Sequence, residues 1–245
     1  MRSQEKKTHD VVYIIKEGAP PDELRYSLRS VEKNFPAGKV WIYGFCPEGI
    51  VPDEFVPVEQ KGQNKWEKVT DTIRQICANE DITEDFWLFN DDFFIMKKCD
   101  ELPPLIIGTL WHRAQRIEEG RKTETRYAYQ LRDTARALRD AGLDRLDYAA
   151  HAPILINRAK ALKTIEMFPG KPMFRSLYGN YAKIGGVISK DTKIADLTQK
   201  PDGNELILST NDKSFAEGEA GKYIRNKFKK KSRFERSRDE ISDSE

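Results

Sequence analysis

Three consecutive polar residues, Asn90-Asp91-Asp92, follow directly on the apolar run Phe86-Trp87-Leu88-Phe89. Two adjacent carboxylates leaving a buried strand repel one another and lose hydration unless a positive charge sits beside them. A divalent cation is the usual solution, and Asp and Asn oxygens suit Mg²⁺ or Mn²⁺. Because Mg²⁺ is commonly held by one or two carboxylates together with substrate phosphates, the pattern predicts a diphosphate partner. The alternative is a turn in which Asn90 and Asp91 satisfy local backbone groups.

Other residues could act beside this pair. His151 precedes Ala152-Pro153 and an apolar run, so its ring should be held at a strand entrance. Histidines exchange protons near neutral pH, and one here could take a proton from an acceptor hydroxyl or donate a hydrogen bond to a phosphate. A purely structural histidine is the plain alternative. Arg25 and Arg29 lie one helical turn apart and could grip a phosphate, or form a solvated salt-bridging face. Arg175 precedes Ser176-Leu177-Tyr178-Gly179-Asn180, where backbone amides and aromatic rings can surround a ligand. Thr210-Asn211-Asp212-Lys213, after Leu206-Ile207-Leu208, is a second polar group at a strand's end.

The elements that must position these residues alternate. Asp10 to Ile15 is a short apolar, β-branched run ending near Gly18 and Pro20-Pro21, and reads as the first strand. Asp22 and Glu23 open a helix with Leu24, Leu28 and Val31 on one face, closed by Pro36 and Gly38. Val40 to Phe45 is a second strand. Pro47 to Gly62 is a loop with one extended piece at Phe55 to Val58. Trp66, Val69, Ile73 and Ile76 mark a second amphipathic helix, and Phe86 to Phe89 a strand buried on both faces. This order predicts an α/β fold, Rossmann-like, with a mainly parallel sheet flanked by helices and ligands beyond the carboxyl ends of the strands. The second half is less regular: a charged helix over 123–141, a strand-like segment from Ala149 to Asn157, a helix from Arg158 to Met167, shaped loops through Phe174 to Asn180 and a late strand at Glu205 to Ser209.

Among 245 residues, 38% are hydrophobic and 33% charged, as in a soluble globular protein. No run approaches the roughly 20 apolar residues of a membrane helix, and the N-terminal MRSQEKKTHD lacks the core of a signal peptide, so the expectation is a cytoplasmic protein without a membrane span. Cys46, Cys77 and Cys99 read as free thiols. The net charge of +2 conceals an asymmetry. Lys222 to Arg238 holds nine Lys or Arg against one Glu, the last seven residues carry −4, and residues 1–221 carry −2. One catalytic domain over 1–221 and a basic, then acidic, tail over 222–245 is the expected organisation. The tail should be solvated, with Lys222 to Arg238 a possible contact for nucleic-acid phosphates.

Taken in order, DELRYSLRSVEKNFP at Asp22 to Pro36, FWLFNDDFF at Phe86 to Phe94, HAP at His151 to Pro153, FRSLYGN at Phe174 to Asn180 and STND at Ser209 to Asp212 resemble the Stealth family. That family includes bacterial capsular polysaccharide sugar-phosphate transferases and the lysosomal-enzyme N-acetylglucosamine-1-phosphotransferase. The resemblance runs from about Asp10 to Asp212. Lys16-Glu17-Gly18-Ala19 stands where the family carries a DGSD-like element. The resemblance implies a glycosyltransferase-A-like fold with an irregular acceptor-side second half, acting on a nucleotide sugar, a UDP-sugar first among them. It implies Asp91 and Asp92 as holders of Mn²⁺ or Mg²⁺, and Asp92, His151 and Asp212 as catalytic. Arg25, Arg29, Asn90, Arg175, Asn180 and Asn211 would bind the donor. The expected reaction is transfer of the sugar to a hydroxyl acceptor such as a glycan. The alternatives are transfer of sugar-1-phosphate to a glycan, or a nucleic-acid-associated protein, such as a glycosyltransferase of modified DNA bases.

Overall fold

Hydrophobic runs too short for helices form the centre of the molecule, which a computed structural model describes over residues 8–59, 62 and 64–236. The first half comprises β1 (His9–Ile15), α1 (Pro21–Asn34), β2 (Ala37–Gly44), β3 (Glu54–Pro57), α2 (Lys65–Ala78), β4 (Asp85–Phe89) and β5 (Phe93–Ile95). Then come β6 (Leu105–Ile106), α3 (Leu110–Arg121), α4 (Arg126–Asp140), β7 (Ile154–Asn157) and α5 (Arg158–Met167). The chain continues through α6 (Phe174–Tyr181), β8 (Val187–Ile188), β9 (Ile207–Ser209), α7 (Asp212–Ala216) and α8 (Glu219–Lys227).

The main sheet has the order β3-β2-β1-β4-β7. β1 pairs in parallel with β2 and β4, β2 pairs in parallel with β3, and β7 joins β4 antiparallel. The architecture is therefore α/β, with a mostly parallel mixed sheet between helices, and it is compatible with a Rossmann-like fold. Alternate side chains of the central strands enter two cores. Tyr13, Ile15, Trp87 and Phe89 pack with Leu24, Leu28 and Val31 of α1. Val12, Phe86 and Leu88 pack on the other face with Ile73 and Ile76 of α2, Ala161 and Ile165 of α5, and Phe174 and Tyr178 of α6. Burial on both faces is why these strands lack polar alternation.

Asp10, only 4% exposed, locks the edge opposite the candidate site. Its carboxylate accepts from Lys39 N, Trp41 Nε1 and Thr83 N at 2.9, 3.0 and 3.2 Å, which ties β1 to β2 and to the loop entering β4. α1 begins with Pro21 at its first turn and Asp22 and Glu23 beside its positive end, and α2 begins at Asn64, whose side chain accepts from Trp66 N and Glu67 N.

Several expectations need correction. The charged helix expected over 123–141 is α4, and a further helix not expected from the sequence, α3, precedes it, its N-cap Thr109 accepting from His112 N. Phe174 to Asn180 is helix α6 instead of a loop, entered through Met173 at φ 60°. Gly179 is required there because a Cβ would sit 2.4 Å from the Tyr148 ring. The late strand is shorter than expected, Ile207–Ser209, and pairs with β5 outside the main sheet. The tail boundary drawn between residues 221 and 222 falls inside α8, and the chain beyond it is packed instead of solvated: Phe228 and Phe234 are each 2% exposed. Arg238 and the acidic residues 239–245 lie outside the described residues. The three cysteines are free thiols. No described helix is long and apolar enough to cross a membrane.

Candidate active site

The carboxyl ends of β1 and β4 open into a cleft of about 620 Å³. Asn90, Asp91 and Asp92 turn the chain from β4 into β5 at its floor, and β9 delivers Asn211 and Asp212 to the same cleft. Arg175 enters from α6, and His151 from the connection before β7. Seven of the sequence-derived site residues are thus gathered in one place, although they are up to 122 positions apart.

Asp92 is 9% exposed. Its Oδ2 accepts from Lys193 Nζ and Ser209 Oγ, both at 3.1 Å, while its Oδ1 is buried with no hydrogen-bond partner among the described residues. A carboxylate oxygen in that state has lost its hydration without replacement. Asp91, half-buried beside it, is also disfavoured in its charged form. Burial first, and the Asp92 charge second, push its carboxyl from 3.8 up to about 6, against the pull of Lys16. Across the cleft, Glu23 accepts from Thr210 Oγ1 at 2.7 Å. Burial lifts its carboxyl to about 7, and the charges of Asp92, Asp91 and Asp212 add to the rise.

Positive charge approaches this acidic floor from two sides. Lys193 pairs with Asp92, and Arg175 is fixed by donating to Ala152 O at 2.6 Å and Asn90 Oδ1 at 3.2 Å, with its guanidinium 5.2 Å from the Phe93 ring centre. Desolvation lowers the Arg175 pKa to about 10, partly offset by Asp92. It remains a cation at neutral pH and is oriented before any ligand arrives.

His151 adopts φ 46°, a left-handed conformation uncommon for a residue with a side chain. Its Nδ1 lies 2.8 Å from Asp191 Oδ1. Burial would raise Asp191, but the hydrogen bond and charge of His151, the Lys193 amide and Arg113 together hold it below the usual carboxylate range. An ionised carboxylate only accepts, so Nδ1 carries the proton of that bond and Nε2 is the nitrogen left for exchange. Arg113 extends the chain, lying 3.6 Å from Asp191 and donating to the fully buried Asp147 at 3.0 Å. On the far wall Trp66 and Tyr127 stack with centroids 6.4 Å apart.

Three expected donor residues are elsewhere. Arg29 donates to both oxygens of Glu235, at 2.8 and 2.6 Å, and to Phe228 O, so its guanidinium is consumed by packing the chain's end. Arg25 lies 3.4 Å from Asp22 and 3.6 Å from Glu235. Neither lines the cleft; both border a separate groove. Asn180, 3% exposed, bridges Leu146 N and Leu146 O and also donates to Ser176 O, which makes it a structural clamp. Asn211 lines the cleft, but its side chain also caps α7 by accepting from Ser214 N. Conversely, Lys16, Glu23, Arg113, Asp191 and Lys193 belong to the site, although the sequence alone assigned none of them a role there. Glu23 carried a signal, an acid in the first turn of a helix that follows a strand end; Asp191 and Lys193 sit in a stretch without periodicity.

No protein-family model matches the chain, and no curated protein matches its sequence.

Proposed function

We propose that the protein is a metal-dependent glycosyltransferase of glycosyltransferase-A-like fold that moves a sugar from a nucleotide-sugar donor to a hydroxyl acceptor. The observation that carries this reading is the unpartnered, buried Oδ1 of Asp92 beside an Asp91 carboxyl held near 6. The residues fit a divalent cation, because a bound cation would partner the Asp92 oxygen and offset the repulsion between Asp91 and Asp92. Among the described residues there is no group of three or more His, Cys, Asp or Glu that could hold a metal ion. The protein would therefore supply Asp91 and Asp92, and the donor diphosphate would complete the coordination, in the manner of Mg²⁺ sites. When bound, the cation supplies neutralisation of the charge that develops on the departing nucleotide.

The chain's own residues supply the remainder. Arg175, already fixed over Phe93, donates to donor phosphate oxygens without reorganising. Lys193 holds Asp92 in its orientation. His151, its tautomer set by Asp191, accepts the acceptor hydroxyl's proton at Nε2 as that oxygen attacks the anomeric carbon. The Trp66 and Tyr127 wall offers planar apolar surface to a base or a sugar face.

The same His151–Asp191 pair beside Arg175 also favours a second reading, transfer of sugar-1-phosphate, in which the deprotonated acceptor attacks phosphorus. Product analysis decides between them. Release of a nucleoside diphosphate supports sugar transfer, release of a nucleoside monophosphate supports sugar-phosphate transfer, and absence of either from every nucleotide sugar with Mn²⁺ or Mg²⁺ refutes both.

A further inference from the structure

The end of the chain after α8 is a strap laid along α1. Phe228 O accepts from Arg29 Nη1 at 3.0 Å, Lys227 O from Lys33 Nζ at 3.4 Å, and Arg233 N donates to Glu32 at 2.9 Å. Further on, Val51 N donates to Phe234 O at 2.8 Å, Arg233 pairs with Asp53, and Arg236 N donates to Gly49 O at 3.2 Å. The strap meets α1 at Lys33 and Arg29, returns to Glu32 at Arg233 and ends with Glu235 against Arg29 and Arg25, so its contacts span eight residues of α1, or about 12 Å along the helix axis. At its end lies a groove of about 720 Å³ bordered by Gly18 to Pro21, Arg25, Lys231 and Arg236, with Glu48 and the Arg29-paired Glu235 also on its wall. Lys16 lines the cleft and Gly18 to Pro21 line the groove, so one short connection borders both cavities.

The strap's two faces differ in chemistry. Phe228 and Phe234 are buried, and Glu235 is neutralised by Arg29. Lys229, Lys230, Lys231 and Arg236 are exposed, and none has an acidic partner among the described residues. Holding unpaired cations in a row on an ordered backbone costs repulsion, which a regular polyanion would relieve. With Phe228 and Phe234 turned inward, the described residues of the strap offer no exposed apolar side chain to a bilayer, and a row of lysines without an apolar centre lacks the anchor typical of a protein interface.

We propose that this strap and its groove bind a nucleic-acid backbone, with Lys229, Lys230, Lys231 and Arg236 contacting phosphates. The binding itself does not depend on the proposed transferase activity; delivery of a nucleic-acid acceptor to the cleft does rest on that reading.

The test is fluorescence anisotropy of a 20-base-pair duplex DNA with the full chain. Four cation–phosphate contacts give a salt slope near −3.6, hence about 150-fold weaker binding at 200 mM than at 50 mM salt. Lys229→Glu/Lys230→Glu/Lys231→Glu should weaken binding at least tenfold and flatten the slope to about −1, with donor hydrolysis unchanged. A Gln triple variant of the same lysines, checked by its thermal midpoint, should reproduce the loss without charge reversal. Absence of binding at 50 mM salt, or affinity unaffected by either triple variant, overturns the proposal. So does tighter, lysine-dependent binding to phosphatidylserine vesicles than to DNA. Lysine-dependent DNA binding without turnover of any nucleotide sugar keeps the strap and removes the transferase reading. Turnover without DNA binding does the reverse.

Discussion

Asp91→Asn should stabilise the ligand-free protein, and the gain should depend on pH. Burial and the neighbouring Asp92 hold the Asp91 carboxyl at about 6 instead of 3.8. The folded state thus binds more protons than the unfolded state between these values. Stability from this group is greatest below pH 4, declines as pH rises through 6, and is constant beyond. At pH 8 the ionised group costs about 3 kcal/mol, which water at the cleft mouth reduces to about 2 kcal/mol. Asn keeps the shape and removes the charge, and it also relieves Glu23, which Asp91 helps to push up. Urea unfolding of both proteins should show a gain of about 1 kcal/mol at pH 4.5, rising to about 2 kcal/mol at pH 7 and above. A variant less stable than the parent at pH 8, or a difference that does not change with pH, would refute the reasoning that the acidic pair is held at a cost.

Glu235→Gln should release the strap by leaving the Arg29 guanidinium buried without its carboxylate. The loss should be about 2–3 kcal/mol at pH 7, short of a fully isolated ion because Arg29 keeps Phe228 O and the Tyr26 ring. Burial opposes ionisation of Glu235, but Arg29 and Ser232 outweigh it and hold its pKa below 4.5, so this contribution is present above that pH and fades as pH falls through the folded value. Trypsin cleavage within Lys229–Lys231 provides the readout, and unchanged cleavage would contradict the packing. Asp191→Asn should lower kcat about a hundredfold or more with little change in donor KM, as expected for loss of the group that sets the His151 tautomer; an equal loss confined to KM would remove His151 from proton transfer. Gly179→Ala should lower the thermal midpoint through the clash with Tyr148, by about 1–3 kcal/mol of stability, and a neutral result would mean that α6 sits farther from Tyr148.

The central strands were legible because burial on both faces leaves uninterrupted apolar runs, and Asn90-Asp91-Asp92 stood out as the polar end of one of them. Arg25 and Arg29 were misplaced because helical spacing gives a face without its partner. That partner, Glu235, is 206 residues from Arg29 and lies in a segment whose charge suggested solvent. Phe228 and Phe234 were the only local sign that this segment packs. Phe174 to Asn180 read as a loop because its glycine is a poor helix former, and the reason for that glycine, the Tyr148 ring, is a tertiary contact. Asp191 and Lys193 acquire meaning only once the fold brings them to His151 and Asp92.

Thermal denaturation with a panel of nucleotide sugars, each with and without Mn²⁺, tests the central claim most directly, using the parent chain and Asp92→Asn. A donor at a hundred times its Kd should add about 2.7 kcal/mol, or roughly 5–10 °C for a domain of this size. That increment is expected for the parent only when donor and Mn²⁺ are both present, and it should be lost in Asp92→Asn. No shift with any nucleotide sugar, or the same metal-dependent shift in Asp92→Asn, would contradict it.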